Sequence, residues 1–148
     1  MEKGLYTKED VDVMLITQTS RNQSRIQELI NFIKLNNYKK IGIACCISVR
    51  PTALKLKEIL EKEDLIVYVV DCKESKLEGC EISNELSGSL CDPISQATYF
   101  NESNTDFNIN FGLCLGHGIL FQKYSKAPST TLLVKDACHK HNIMESFA

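Results

Sequence analysis

The sequence predicts an α/β fold, three-layered, around a four-stranded and mainly parallel sheet of order 2-1-3-4. Three observations lead there. Short apolar or β-branched runs alternate with segments of helical period. Of the two clearest runs, 40–48 is a short apolar one consistent with a buried strand, and 65–70 is β-branched and apolar on both faces, as strands covered by helices are. The runs are also separated by helical lengths rather than tight turns, which parallel crossovers require.

Taken in order, Thr7 caps a first helix with Asp10 at the third position, an analogue of the capping box, and Val11, Met14 and Leu15 share one face. A second helix reads from about Asn22, where Ile26, Leu29, Ile30 and Ile33 recur at helical spacing and Asn36-Asn37 ends it. Residues 1–38 hold no Cys or His and are assigned to packing on one face of the sheet. Residues 40–48 form the first strand, Pro51 opens a helix, and 65–70 form the second strand. Pro93 starts a helix through Tyr99, and residues 107–111 form the third strand. Gly118 to Tyr124 is helical and residues 130–134 are the fourth strand. These are Rossmann-like βαβ units, with a sheet core over 39–136 in a single domain of 1–148.

The chain has 148 residues, 43% hydrophobic and 24% charged, with a net charge of −2. Such a length buries roughly two-thirds of its unfolded surface without staples. The basic residues are scattered, so neither nucleic acid nor an anionic membrane is an expected partner. The start has no apolar h-region and soon turns acidic, so a cytoplasmic protein is expected. Seven cysteines then read as reduced thiols rather than a disulfide framework, and the odd count agrees.

Their placement is informative. The first strand runs into Cys45-Cys46, the second into Cys72 and the third into Cys114. Ligands of open α/β sheets bind outside the carboxyl ends of the strands, at the switch point. Neighbouring strands lie only ~5 Å apart, and thiolates that close repel unless a cation sits between them. Cys91, two residues before Pro93, can lean over the same edge. Cys46, Cys72, Cys91 and Cys114 are therefore the candidate ligands. Cys45, Cys80 and Cys138 read as structural, because strand alternation turns Cys45 away from Cys46 and the other two lie off the sheet edge.

Gly112-Leu-Cys114-Leu-Gly116-His117-Gly118 turns from strand into helix, and the helix start favours an anion. Cys114 and His117 could share a metal, or His117 could serve an activated thiol as base; a glycine-rich turn with a capping histidine is the plain alternative. The stretch between Cys72 and Cys91 is rich in glutamate and predicts a mobile, solvated excursion, with a lid as the other reading. Lys135-Asp136 follows the fourth strand at the carboxyl edge, where a substrate contact is expected, and His139 and His141 lie just beyond.

Several segments together carry a resemblance. They are Lys39-Lys-Ile-Gly-Ile-Ala-x-Cys46, Cys72-Lys73, Cys91-Asp-Pro-Ile-Ser-Gln-Ala97, Gly112-Leu-Cys-x-Gly-His117, Lys123-Tyr-Ser-Lys-Ala-Pro128 and Val134-Lys-Asp136. The chain resembles a bacterial and archaeal domain-of-unknown-function family described as uncharacterised metal-binding proteins. The resemblance implies that Cys46, Cys72, Cys91, Cys114 and His117 are the family positions and that Cys45, Cys80 and Cys138 are not. It also implies a further cysteine-rich N-terminal segment in many relatives, which this chain lacks, and an acidic residue where Gly118 stands here.

The expected function is metal binding by Cys46, Cys72, Cys91 and Cys114, as a zinc site or an iron–sulfur cluster. His117, Gly116, Lys135, Asp136 and His141 would surround the metal or a small anionic molecule. Two rivals stand beside it: a thiol enzyme using Cys114 with His117, and a non-catalytic sensor or carrier closing residues 73–90 over its ligand.

Overall fold

The computed structural model describes residues 4–148. It holds two compact units, one ending at Tyr38 and the other Lys39–Ala148, and each is described by itself.

The first unit is a pair of helices, α1 (Lys8–Ser20) and α2 (Arg25–Leu35). Thr7 and Asp10 form the reciprocal capping box that their spacing predicts, which satisfies two backbone amides at the start of α1. Ser24 caps α2, and Leu29, Ile30 and Ile33 are its buried residues. The apolar residues of α1 behave otherwise. Val11, Met14 and Leu15 are exposed and line a groove of about 450 Å³ instead of packing away.

The second unit is the predicted α/β fold. Its strands are β1 (Lys40–Cys45), β2 (Ile66–Asp71), β3 (Phe107–Phe111) and β4 (Ser129–Leu133), all parallel in the order β2-β1-β3-β4. Between them run α3 (Arg50–Glu61), α4 (Pro93–Glu102) and α5 (Leu115–Tyr124). Right-handed crossovers put α3 on one face of the sheet and α4 and α5 on the other, giving three layers. β1 is central and pairs with both β2 and β3 without interruption. Its residues from Ile41 to Cys45 are all buried, which is why the run is apolar on both sides.

The layer of α4 and α5 is held by aromatic rings. Phe100 and Phe121 are fully buried and meet edge-to-face at 6.1 Å between centroids. Phe100 comes so near β1 that only glycine fits opposite it. A Cβ on Gly42 would lie 2.5 Å from Asn108 Oδ1 and 2.7 Å from the Phe100 ring. Gly42→Ala is therefore expected to destabilise the fold by at least about 2 kcal/mol, read as a lower urea midpoint at unchanged slope. An unchanged midpoint would mean that β1 and α4 separate without cost.

Several boundaries differ from expectation by one to three residues, and two of them lie at the carboxyl edge of the sheet. β1 stops at Cys45, and residues Ile47–Val49 form a 3₁₀ turn leading into α3. α5 begins at Leu115, before the glycines, because Gly112 alone makes the turn out of β3 with φ +73.

Candidate functional site: a thiol cluster at the carboxyl edge of the sheet

Parallel register sets the edge. The last residue of β1, Cys45, is level with Asp71 of β2 and Phe111 of β3, so the chain leaves all three strands at one height. The ladder continues past the strands: the Cys72 amide donates to the Cys45 carbonyl at 3.0 Å, and the Cys46 amide to the Phe111 carbonyl at 3.3 Å. From α4, buried Gln96 donates through Nε2 to the carbonyls of Cys45 (3.2 Å) and Val70 (2.8 Å). It ties together the two strand ends that carry Cys46 and Cys72.

Cys45 turns away from the edge. It is fully buried, and burial together with the Asp71 charge pushes its thiol up to about 12. Cys46 turns the other way. Its sulfur lies 3.0 Å from Ser48 Oγ and accepts from Lys135 Nζ at 3.1 Å. The same ammonium reaches Cys114 Sγ at 3.4 Å, so one cation bridges thiols from opposite sides of the switch point. Burial disfavours a thiolate at Cys46, but the Ser48 and Lys135 contacts outweigh it and lower its pKa below the usual thiol range. The Cys46 hydrogen bond in turn raises Lys135 above the ordinary lysine value. Cys114 is the N-cap of α5, and with Lys135 it lines a cleft of about 310 Å³.

The second half of the cluster is Cys72 with Cys91. The Ile47 amide donates to Cys72 Sγ at 3.4 Å. Burial pushes the Cys72 thiol up to about 12, and the neighbouring thiols of Cys91 and Cys46 add to the rise. The two ends of the intervening loop meet, since the Asp92 amide donates to the Cys72 carbonyl at 2.8 Å.

That loop is folded, against the expectation of a mobile excursion. Glu78 and Ser89 form an antiparallel bridge, the Gly79 amide donates to Gly88, and the Leu90 amide to Leu77. Lys73 Nζ donates to the Ser89 carbonyl at 2.7 Å, and Ser75 and Ser95 both bond Asp92. The glutamates point to solvated structure, whereas the spaced Leu77, Ile82, Leu86 and Leu90 were the signal of an inner face. His117 from α5 lines the cleft under this loop together with Cys91. No hydrogen bond joins it to Cys114, whose polar neighbour is Lys135.

The remaining candidates lie apart. The Asp136 amide donates to His141 Nδ1 at 3.0 Å, and Asp136 Oδ2 pairs with His139, so these three close a local C-terminal turn. Gly116 is exposed with open space around its Cα. Cys80 and Cys138 are exposed. Among the described residues, no three His, Cys, Asp or Glu side chains stand ready-made as a metal cage. No helix among them is long and apolar enough to cross a membrane.

Residues 2–132 match the family model described as protein of unknown function, DUF1847. The chain belongs to this family. An uncharacterised protein of Methanocaldococcus jannaschii, MJ0455, is 47% identical over 125 residues, which are 81% of this chain and 64% of that relative. This DUF1847 chain thus spans somewhat less than two-thirds of that relative's length. No solved structure matches it significantly.

Proposed function

We propose that this DUF1847 protein binds a soft metal, zinc or an iron–sulfur cluster, through Cys46, Cys72, Cys91 and Cys114. The observation that supports the reading is the pairwise approach of these thiols along the switch-point edge, Cys46 and Cys114 meeting at the Lys135 ammonium and Cys72 neighbouring Cys91 and Cys46. Four sulfur donors suit zinc or iron–sulfur chemistry and few other metals. A cation already stands beside Cys46 and Cys114, which is where positive charge best offsets two thiolates. The Ile47 amide and the Ser48 hydroxyl supply the hydrogen bonds that orient sulfur ligands and temper their charge. Loading needs the sulfurs to rotate inward and Lys135 to give up its place between them.

Elemental analysis and an absorption spectrum of anaerobically purified protein test the proposal. Stoichiometric zinc without colour, or iron and sulfide with visible absorption, is the expected result. Well-folded protein without metal, prepared without chelators, would overturn it.

A second reading rests on two contacts to Cys46. Lys135 and Ser48 favour the thiolate of Cys46, so Cys46 could be a reactive thiol in its own right. Metal-free protein whose Cys46 is alkylated ahead of the exposed Cys80 and Cys138 is the outcome that favours this reading over metal.

A further inference from the structure

The folded loop covers a cleft of about 500 Å³ that shares only Cys91 with the proposed metal ligands. Its walls come from Leu77, Ile82 and Leu86 of the loop, Ile94 of α4 and Leu120 of α5. Four of these side chains are substantially exposed: Ile82 58%, Leu86 41%, Ile94 39% and Leu120 36%. Apolar side chains from three separate elements thus surround an open space of ligand size, where clefts of ~300–1,000 Å³ hold small molecules.

The polar groups of the cleft are few and unequal. Asp92 has both carboxylate oxygens occupied, by the Ser95 amide and the Ser75 and Ser95 hydroxyls, and serves as the cap of α4. Lys73 has one ammonium proton on the Ser89 carbonyl and two to spare. His117 is half-buried and makes no hydrogen bond to another described residue. Ser89 and Cys91 also line the cleft, so the groups left to meet a ligand are one cation, one imidazole, a hydroxyl and a thiol, set in an apolar wall.

We propose that this cleft binds a small carboxylic acid with an apolar body, its carboxylate paired with Lys73 and within reach of the His117 ring. The body fills the space between the loop and the first turns of α4 and α5, and covers Ile82, Leu86, Ile94 and Leu120. The inference goes beyond the metal reading and touches the thiol cluster only through Cys91, which also lines the cleft.

Decanoate titrated calorimetrically into the full chain is the test, with 1-decanol as the uncharged counterpart. Saturable one-to-one binding is expected near about 0.1 mM, in keeping with a modest ligand of twelve heavy atoms. Decanol should bind about ten-fold more weakly. Lys73→Ala should remove that preference, and Leu86→Asp should weaken both probes at least about ten-fold. Ile59→Asp, at an exposed position of α3 remote from the cleft's lining, is the control and should change nothing. Thermal unfolding of each variant establishes that it is folded. Cys114→Ser should bind decanoate like the wild type, so a failure of the metal reading leaves this result standing. Absence of saturable binding, or equal binding by Leu86→Asp and wild type, would overturn the site; equal binding of decanol and decanoate by the wild type would overturn its acid preference.

Discussion

Cys114→Ser is expected to lower metal affinity about a hundred-fold or more, while Cys138→Ser leaves metal content unchanged. A four-sulfur site that loses one thiolate keeps a hard hydroxyl where a soft donor stood, and metal binding to such sites is strong mainly through its thiolates. Cys114 shares the Lys135 ammonium with Cys46, whereas Cys138 is exposed in the 3₁₀ turn Ala137–His139 and takes no part in the cluster. The measurement is metal stoichiometry of the two variants purified side by side, followed by chelator competition. Equal content in both would remove the division of the cysteines into ligands and bystanders.

Phe100→Ala is expected to cost about 4 kcal/mol, the largest single loss of stability in the sheet unit. Phe100 is fully buried, packs edge-to-face on Phe121 and Tyr99, and presses against Gly42, so its removal leaves a cavity that rigid neighbours on β1 cannot close. Its neighbour Tyr99 is 46% exposed, and Tyr99→Ala should cost well under half as much. Guanidinium unfolding curves of the two variants give the comparison. Similar midpoints would show that the α4 layer is not held by Phe100.

The sheet was legible because its signals were local and strong. Residues 41–45 carry no charged side chain and show no alternation, as a strand buried on both faces requires. Right-handed crossovers then left few orders open, and 2-1-3-4 was among them. The edge position of Cys46, Cys72 and Cys114 followed from where those strands end. What sequence could not supply was the direction of long side chains across the edge. Lys135 was a residue at the right edge, but its contact with two sulfurs depends on how β4 pairs with β3, whose register shifts by one residue between Asn110 and Phe111. Gln96 stands in the segment Cys91–Ala97 with no chemistry of its own to mark it, and it matters because α4 lays it over two strand ends. The loop misled through its composition: the glutamates describe its outer face, while many of the hydrogen bonds that fold it are backbone pairs that any residues could make.

The way the ends of that loop meet has a consequence for how the chain can vary. Cys72 and Cys91 are held together by the Asp92 amide on the Cys72 carbonyl, by Ser75 and Ser95 on Asp92, and by the Glu78–Ser89 bridge. Ring closure has thus been completed several residues short of the tip, and the tip itself contributes nothing to the spacing of the two thiols. Residues 83–86 can then be lengthened, shortened or exchanged without moving either sulfur, whereas one residue added between Cys72 and Ser75 shifts both. The cysteine pair and the loop tip are separable in evolution: a lineage can remodel what the loop covers while keeping what its base holds.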